Sequence, residues 1–235
     1  MSCSIVLKNV KVVLGNKEVL KGVTISFNGE LSCLMGPNGA GKTTMLKTIT
    51  GIVRLQEGEV KVCGREPREV RSLISYVPSH LYSEPFSKVS DVMRAYSYGV
   101  KDPLSFEEGL EIVGLSTSML ERKMIELSGG EQKLVLIAAA LIRKPKVFLL
   151  DEPFSSLDLS NQVKIARLLR ALQNKSTIIY TAHEPSHASI AQKVVVMKEG
   201  SVMAQGNPSS ILRSSLLSEV YGVDFLEKGI VPKFD

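Results

Sequence analysis

A chain of 235 residues, 44% apolar and 23% charged, is long enough to bury one sizeable core and too apolar to remain disordered. No uninterrupted apolar run approaches the roughly 20 residues that a bilayer-spanning helix needs, so the chain is not expected to cross a membrane by itself. The formal net charge of +5 comes from basic residues scattered along the sequence, which argues against a dedicated nucleic-acid face.

The opening segment has Lys8 and Lys11 inside its apolar stretch and no small-residue cleavage pattern, so it reads as a strand and not as a secretory signal. Cys3, Cys33 and Cys63 are odd in number, widely spaced and form no CxxC pair. Neither a disulfide framework nor a zinc site is expected from them, and a reducing cytosol suits them best.

Apolar residues alternate over 5–14, a turn follows at Gly15-Asn16, and strand character resumes over 23–27, the pattern of an antiparallel hairpin. A short apolar run at 31–35 leads into a glycine-rich loop, after which Met45, Leu46 and Ile49 recur at helical spacing. Strands are predicted at 59–63 and 73–77. Residues 89–141 change to amphipathic helices, interrupted at Asp102-Pro103 and at Gly114. Strands return at 147–150, 177–180 and 194–197, and between the first two lies a helix whose Ile165, Leu168, Leu169 and Leu172 share one face. Strands alternating with helices imply a parallel, doubly wound core. From Ile211 onward a short helix and an irregular tail are expected.

The glycine-rich loop is Gly36-Pro37-Asn38-Gly39-Ala40-Gly41-Lys42-Thr43, followed by Thr44, and it satisfies G-x-x-x-x-G-K-[ST] between a predicted strand and a predicted helix. Gly39 and Gly41 let backbone N–H groups turn inward around phosphate oxygens, and the helix adds its positive end. Lys42 neutralises phosphate charge, and Thr43 offers a small hydroxyl suited to Mg²⁺. The second element is the strand at 147–150, which ends in two adjacent carboxylates, Asp151 and Glu152. Asp151 can reach a metal through water, and Glu152, one residue on, can deprotonate a water that attacks the terminal phosphate. Alone, the carboxylate pair would read as a strand cap before a turn; paired with the phosphate loop it points to nucleotide hydrolysis.

Between these elements stands Leu127-Ser128-Gly129-Gly130-Glu131. In isolation Ser128 would be a helix N-cap, with Glu131 completing a capping box. The order continues with Ser155-Ser156-Leu157-Asp158 and a strand ending at His183, and in that order the chain resembles ABC ATPases over nearly its whole length. The resemblance implies an α/β fold: a P-loop NTPase (RecA-like) core with an N-terminal antiparallel β subdomain, at 1–80 and 142–215, and a helical signature subdomain at 81–141, with a tail at 216–235. It implies hydrolysis of ATP to ADP and phosphate with Mg²⁺ as cofactor. Ser128, Gly129, Gly130 and Glu131 correspond to the signature loop that meets the γ-phosphate held by a partner subunit, Asp158 to the aspartate that communicates across that interface, and His183 to the switch histidine beside Glu152. The implied partners are a second ABC ATPase subunit, identical or not, and an integral membrane permease; no direct nucleic-acid partner is expected. The implied location is cytoplasmic, peripheral on the inner face of the cell membrane.

Two positions depart from the pattern. Leu14 stands where the family commonly stacks an aromatic ring on adenine, and no aromatic precedes Phe27, so weak adenine selectivity is expected. After Tyr76-Val77-Pro78 the family normally has a metal-ligating Gln; this chain has Ser79 and then His80, so Ser79 would ligate through a bridging water and hydrolysis would be slow. Lys133 and Leu134 also replace common Gln and Arg. Residues 76–78, 157–162 and 220–224 are similar to ATPase subunits of siderophore, haem and cobalamin importers. The alternatives are a soluble ABC ATPase acting on nucleic acid or the ribosome, which usually carries two ATPase domains or a long coiled coil, and a weakly hydrolysing regulatory subunit.

Overall fold

The computed structural model describes residues 3–79, 86–173 and 175–222. Strand β1 (Ile5–Leu14) turns at Gly15-Asn16 into β2 (Lys17–Phe27), the two pairing antiparallel from Ile5 opposite Phe27 to Leu14 opposite Lys17. Alternation decides which face is covered: Ile5, Leu7, Val10 and Val12 point inward with Leu20, Val23, Ile25 and Phe27. A third strand, β4 (Glu57–Val62), pairs with the free edge of β1, giving the order β2-β1-β4.

The second sheet is built from β3 (Leu31–Met35), β5 (Ile74–Val77), β6 (Val147–Leu150), β7 (Thr177–Ala182), β8 (Lys193–Lys198) and β9 (Ser201–Gly206), in the order β5-β6-β7-β3-β8-β9. Every pair is parallel except β8 with β9. Strands β3, β6 and β7 are buried at every position, which is why they read as continuous apolar runs without alternation. The sequence reading did not anticipate β9, whose burial is only partial.

Helix α1 (Lys42–Ile49) leaves the loop after β3. The helical segment comprises α2 (Val89–Ser97), α3 (Phe106–Ile112) and α4 (Gly129–Leu141), with 3₁₀ turns between α3 and α4. Helix α4 is buried continuously from Lys133 to Leu141, so it forms the axis around which α2 and α3 pack. After β6 come α5 (Leu159–Leu172), the short α6 (Pro185–Ala188), α7 (Pro208–Ile211) and α8 (Ser214–Tyr221). Ile165 and Leu169 of α5 are buried, and Leu168 and Leu172 pack against the same cluster, as the shared face predicts. Helix α8 straddles position 216, where the tail was expected to begin, and buries Leu217 and Val220 in the main core.

The cysteines correct an expectation. Cys3 and Cys63 form a disulfide, with Cα atoms 4.8 Å apart. The cause is strand pairing: Ile5 lies opposite Val62, and the Cys63 N–H donates to the Ser4 carbonyl, so residues 60 apart in sequence become neighbours. Spacing along the chain carries no trace of that closure. Cys33 stays a thiol inside β3, where burial pushes its pKa far up.

Candidate functional site

Strands β6, β7 and β3 are neighbours in a parallel sheet, so the loops leaving their carboxyl ends converge on one edge. The loop after β3 can turn there only with glycine: a Cβ at Gly36 would sit 2.1 Å from the Met197 carbonyl oxygen. Gly41, in the left-handed region at φ 101°, opens α1 with no side-chain cap and no acidic residue in the first turn, so no side chain of the helix itself offsets its positive end. Lys42 is 6% exposed. Its Nζ donates to the Gly36 carbonyl at 2.6 Å and the Pro37 carbonyl at 3.0 Å. Burial lowers its pKa, and the charges of Glu152 and Asp151 oppose that shift.

Asp151, at the tip of β6, is 1% exposed and fully engaged. Its Oδ2 accepts from Thr43 Oγ1 and its Oδ1 from Thr181 Oγ1, both at 2.8 Å. Thr181 Oγ1 also accepts the Glu152 N–H at 2.7 Å, so one hydroxyl orients both carboxylate residues. Glu152 has φ 50°, a left-handed conformation that costs a non-glycine residue on the order of 1–3 kcal/mol. Its Oε1 lies 2.5 Å from His183 Nε2, while His183 Nδ1 is 3.5 Å from Lys42 Nζ. Lys42, His183 and Glu152 thus form one chain, from three different loops, along a cavity of roughly 150 Å³ also lined by Asn38 and residues 39–44.

Thr43 and Asp151 bring hard oxygen donors to one point, which fits Mg²⁺. Among the described residues no three His, Cys, Asp or Glu side chains cluster as a cage. A cation here therefore depends on those two residues together with phosphate oxygens and water.

The signature residues lie elsewhere: Ser128, Gly129, Gly130, Glu131 and Asp158 do not line this cavity. Ser128 caps α4, accepting from the Glu131 N–H at 3.2 Å, while Glu131 Oε2 accepts from the Ser128 N–H and hydroxyl. Those bonds hold the Glu131 carboxyl below its usual pKa. Asp158 caps α5 through the Asn161 N–H. Ser79 is held by its backbone: Lys133 Nζ donates to the Ser79 carbonyl at 2.7 Å and to that of Pro78 at 3.2 Å. Lys133 is 5% exposed; burial lowers its pKa against the charges of Asp151 and Glu152. Leu14 is 47% exposed at the hairpin end. His80 lies outside the described residues.

Three participants escaped sequence reasoning. Thr181 lies one residue past the strand predicted at 177–180, in a stretch that already holds Thr177, so no sequence signal singled it out. Lys133 was visible as a departure, but its target was not. His187, stacked on Phe154 with ring centroids 4.6 Å apart, lies 3.1 Å from Gln162 Oε1, and Gln162 Nε2 donates to the Leu157 carbonyl. Burial lowers the His187 pKa. These contacts wall a second cavity of about 200 Å³ that shares Glu152 and His183 with the first.

Comparison with known proteins gives the family and the fold. Residues 20–155 match a family model described as ABC transporter. The chain is 32% identical over 244 residues to the hemin import ATP-binding protein HmuV of Rhodopseudomonas palustris, covering 95% of this chain and 92% of that one. It is 35% identical over 218 residues to the sn-glycerol-3-phosphate import ATP-binding protein UgpC 2 of Agrobacterium fabrum, covering 87% of this chain and 58% of that relative's length. Among solved structures it superposes, with a TM-score of 0.78 and 27% identity, on a dimeric post-hydrolysis ATP-binding cassette bound to ADP and Pi, covering 87% of this chain and 98% of that one.

Proposed function

The chain belongs to the ABC transporter family as an ATP-binding cassette with ATPase activity, and from that premise we propose that it closes as a dimer around two Mg-ATP to drive a separate membrane permease. The observation that carries the proposal is an asymmetry within one chain. Lys42, Thr43, Glu152 and His183 line a single cavity, with Asp151 bonded to Thr43 behind it, while the Ser128 helix start stands apart. A half-site of each kind per chain fits a two-fold pair in which each nucleotide lies between Lys42 of one copy and Ser128 of the other.

In this reading, residues 36–44 wrap the phosphates, and Lys42 leaves its two loop carbonyls to neutralise β/γ charge. Thr43 and Asp151 would hold Mg²⁺, which would supply positive charge against that of the phosphates. Glu152, set by its backbone conformation and by Thr181, accepts the proton of a water whose oxygen bonds to the γ-phosphorus as the bond to the β-phosphate oxygen breaks. His183, poised between Glu152 and Lys42, orients that water and the transferred group. Ser79 would act on the metal through a bridging water. Substrate is left at the class of an anionic or chelated import cargo: the importer-like segments at 157–162 and 220–224 favour iron-siderophore, haem or cobalamin uptake, whereas one relative named above imports a sugar phosphate. Attachment to the permease would place the chain at the inner membrane face; no described helix is long and apolar enough to cross a bilayer.

The test is the Glu152→Gln variant with saturating Mg-ATP. Light scattering should show the mass double on nucleotide addition and return on its removal, and a variant that stays monomeric with or without membrane partners overturns the reading. A second reading, a regulatory subunit that binds nucleotide and barely hydrolyses it, is favoured by Ser79 and Leu14. Single-turnover hydrolysis separates the two.

A further inference from the structure

The C-terminal helix reaches the catalytic edge of the sheet from behind. Helix α8 is anchored by Leu217 and Val220 in the main core, and Lys198 of β8 donates to the Glu219 carbonyl at 2.8 Å, so its last turn has a defined place. Gly222, at φ 70°, closes the helix in a left-handed cap. At that last turn the Tyr221 hydroxyl donates to the His183 carbonyl at 3.0 Å. Burial pushes the Tyr221 pKa up to about 12. The phenolic oxygen therefore fixes the loop that carries His183, which runs beside the loop that begins the phosphate cradle.

Those loops leave adjacent parallel strands, with Met35 registered opposite Ala182. The two loops meet at Lys42, whose Nζ bonds the Gly36 carbonyl and stands 3.5 Å from His183 Nδ1. A hydroxyl on α8 that holds the His183 carbonyl limits how far the His183 loop can move relative to the cradle. A partly buried tyrosine favours a partner for its O–H, and any carbonyl would satisfy it; here the carbonyl is that of His183 itself.

We infer that Tyr221 is a positioning residue for hydrolysis: its hydroxyl ties the His183 loop to α8, and α8 is thereby a strut of the nucleotide site. The inference rests on the role proposed above for His183 at the γ-phosphate. Its consequence is that the step after binding depends on a helix that touches no nucleotide. Removing one oxygen loosens the His183 loop without touching the phosphate cradle's own contacts, so turnover suffers while affinity does not.

The experiment compares Tyr221→Phe and His183→Ala with the unaltered protein, measuring kcat, KM for Mg-ATP and Tm. Tyr221→Phe keeps the ring and its packing, and the expected result is a kcat about three- to tenfold lower, as for one lost hydrogen bond acting in the transition state, with KM within about twofold. Tm should shift by no more than a few degrees. An unchanged kcat, or a KM that rises in step with any loss, overturns the positioning role while leaving the His183 role intact if His183→Ala is itself crippled. Should His183→Ala hydrolyse at the normal rate, the proposed role of His183 falls, and the inference with it.

Discussion

Two helices of this chain start at glycine-rich loops, and their first turns are finished in opposite ways. Helix α1 opens at Gly41 with no side-chain cap and no acid, inside a cavity where Lys42, Glu152 and His183 already contact one another. Helix α4 opens at Ser128 with its first turn satisfied by the protein's own Ser128–Glu131 box and exposed to solvent. Both are helix N-termini that favour anions. The difference teaches where binding energy comes from in each: α1 is an incomplete electrostatic site that a phosphate completes, whereas α4 is at rest alone and gains only when another surface displaces water from it.

The comparison is attacked most directly at Lys42. Lys42→Met removes the one buried cation of the cradle, and steady-state hydrolysis should fall by at least about a hundredfold, as for other cations lost from phosphoryl-transfer sites. A rate that survives would mean that α1 alone suffices. Next in size, Ser128→Arg placed in the Glu152→Gln background should abolish nucleotide-induced doubling of mass, while fluorescent-nucleotide affinity of the monomer stays within about twofold, because the two helix starts are separate sites. A matching loss of monomer affinity would erase the distinction between them. The smallest of the three is Thr181→Val, nearly isosteric, which leaves Asp151 Oδ1 and the Glu152 N–H without their shared hydroxyl. Chemical denaturation should show a loss of about 1–3 kcal/mol, the cost of unpaired buried polar groups, and kcat should drop about tenfold.

What was legible in the sequence followed from local chemistry. Gly36 to Thr43 announce themselves because a phosphate cradle demands glycines at set spacing before a lysine, and Asp151-Glu152 because an apolar strand rarely ends in two acids. The strands β3, β6 and β7 were legible because each is buried on both faces and has no alternation to blur. What escaped is what only tertiary pairing creates. Thr181 becomes an organiser of two carboxylates only once β7 lies beside β6. Lys133, a charge in the apolar stretch of α4, makes sense only when the Pro78 and Ser79 carbonyls arrive above it. Tyr221 sits within a segment noted for its likeness to importer subunits, yet nothing local to it reveals that His183 is its acceptor. The β9 strand was lost for a different reason: half-exposed residues give the periodicity too little contrast.

The Cys3–Cys63 bond has a practical consequence for handling the protein. It closes a covalent ring that contains β1, β2, β3, α1 and β4, and with them the entire phosphate cradle. A protease that nicks the backbone once inside that ring leaves both pieces on a single molecule, which migrates as one band until a thiol reagent is added. Fragment maps of the amino-terminal quarter therefore change with the gel's reductant, even where the cutting does not.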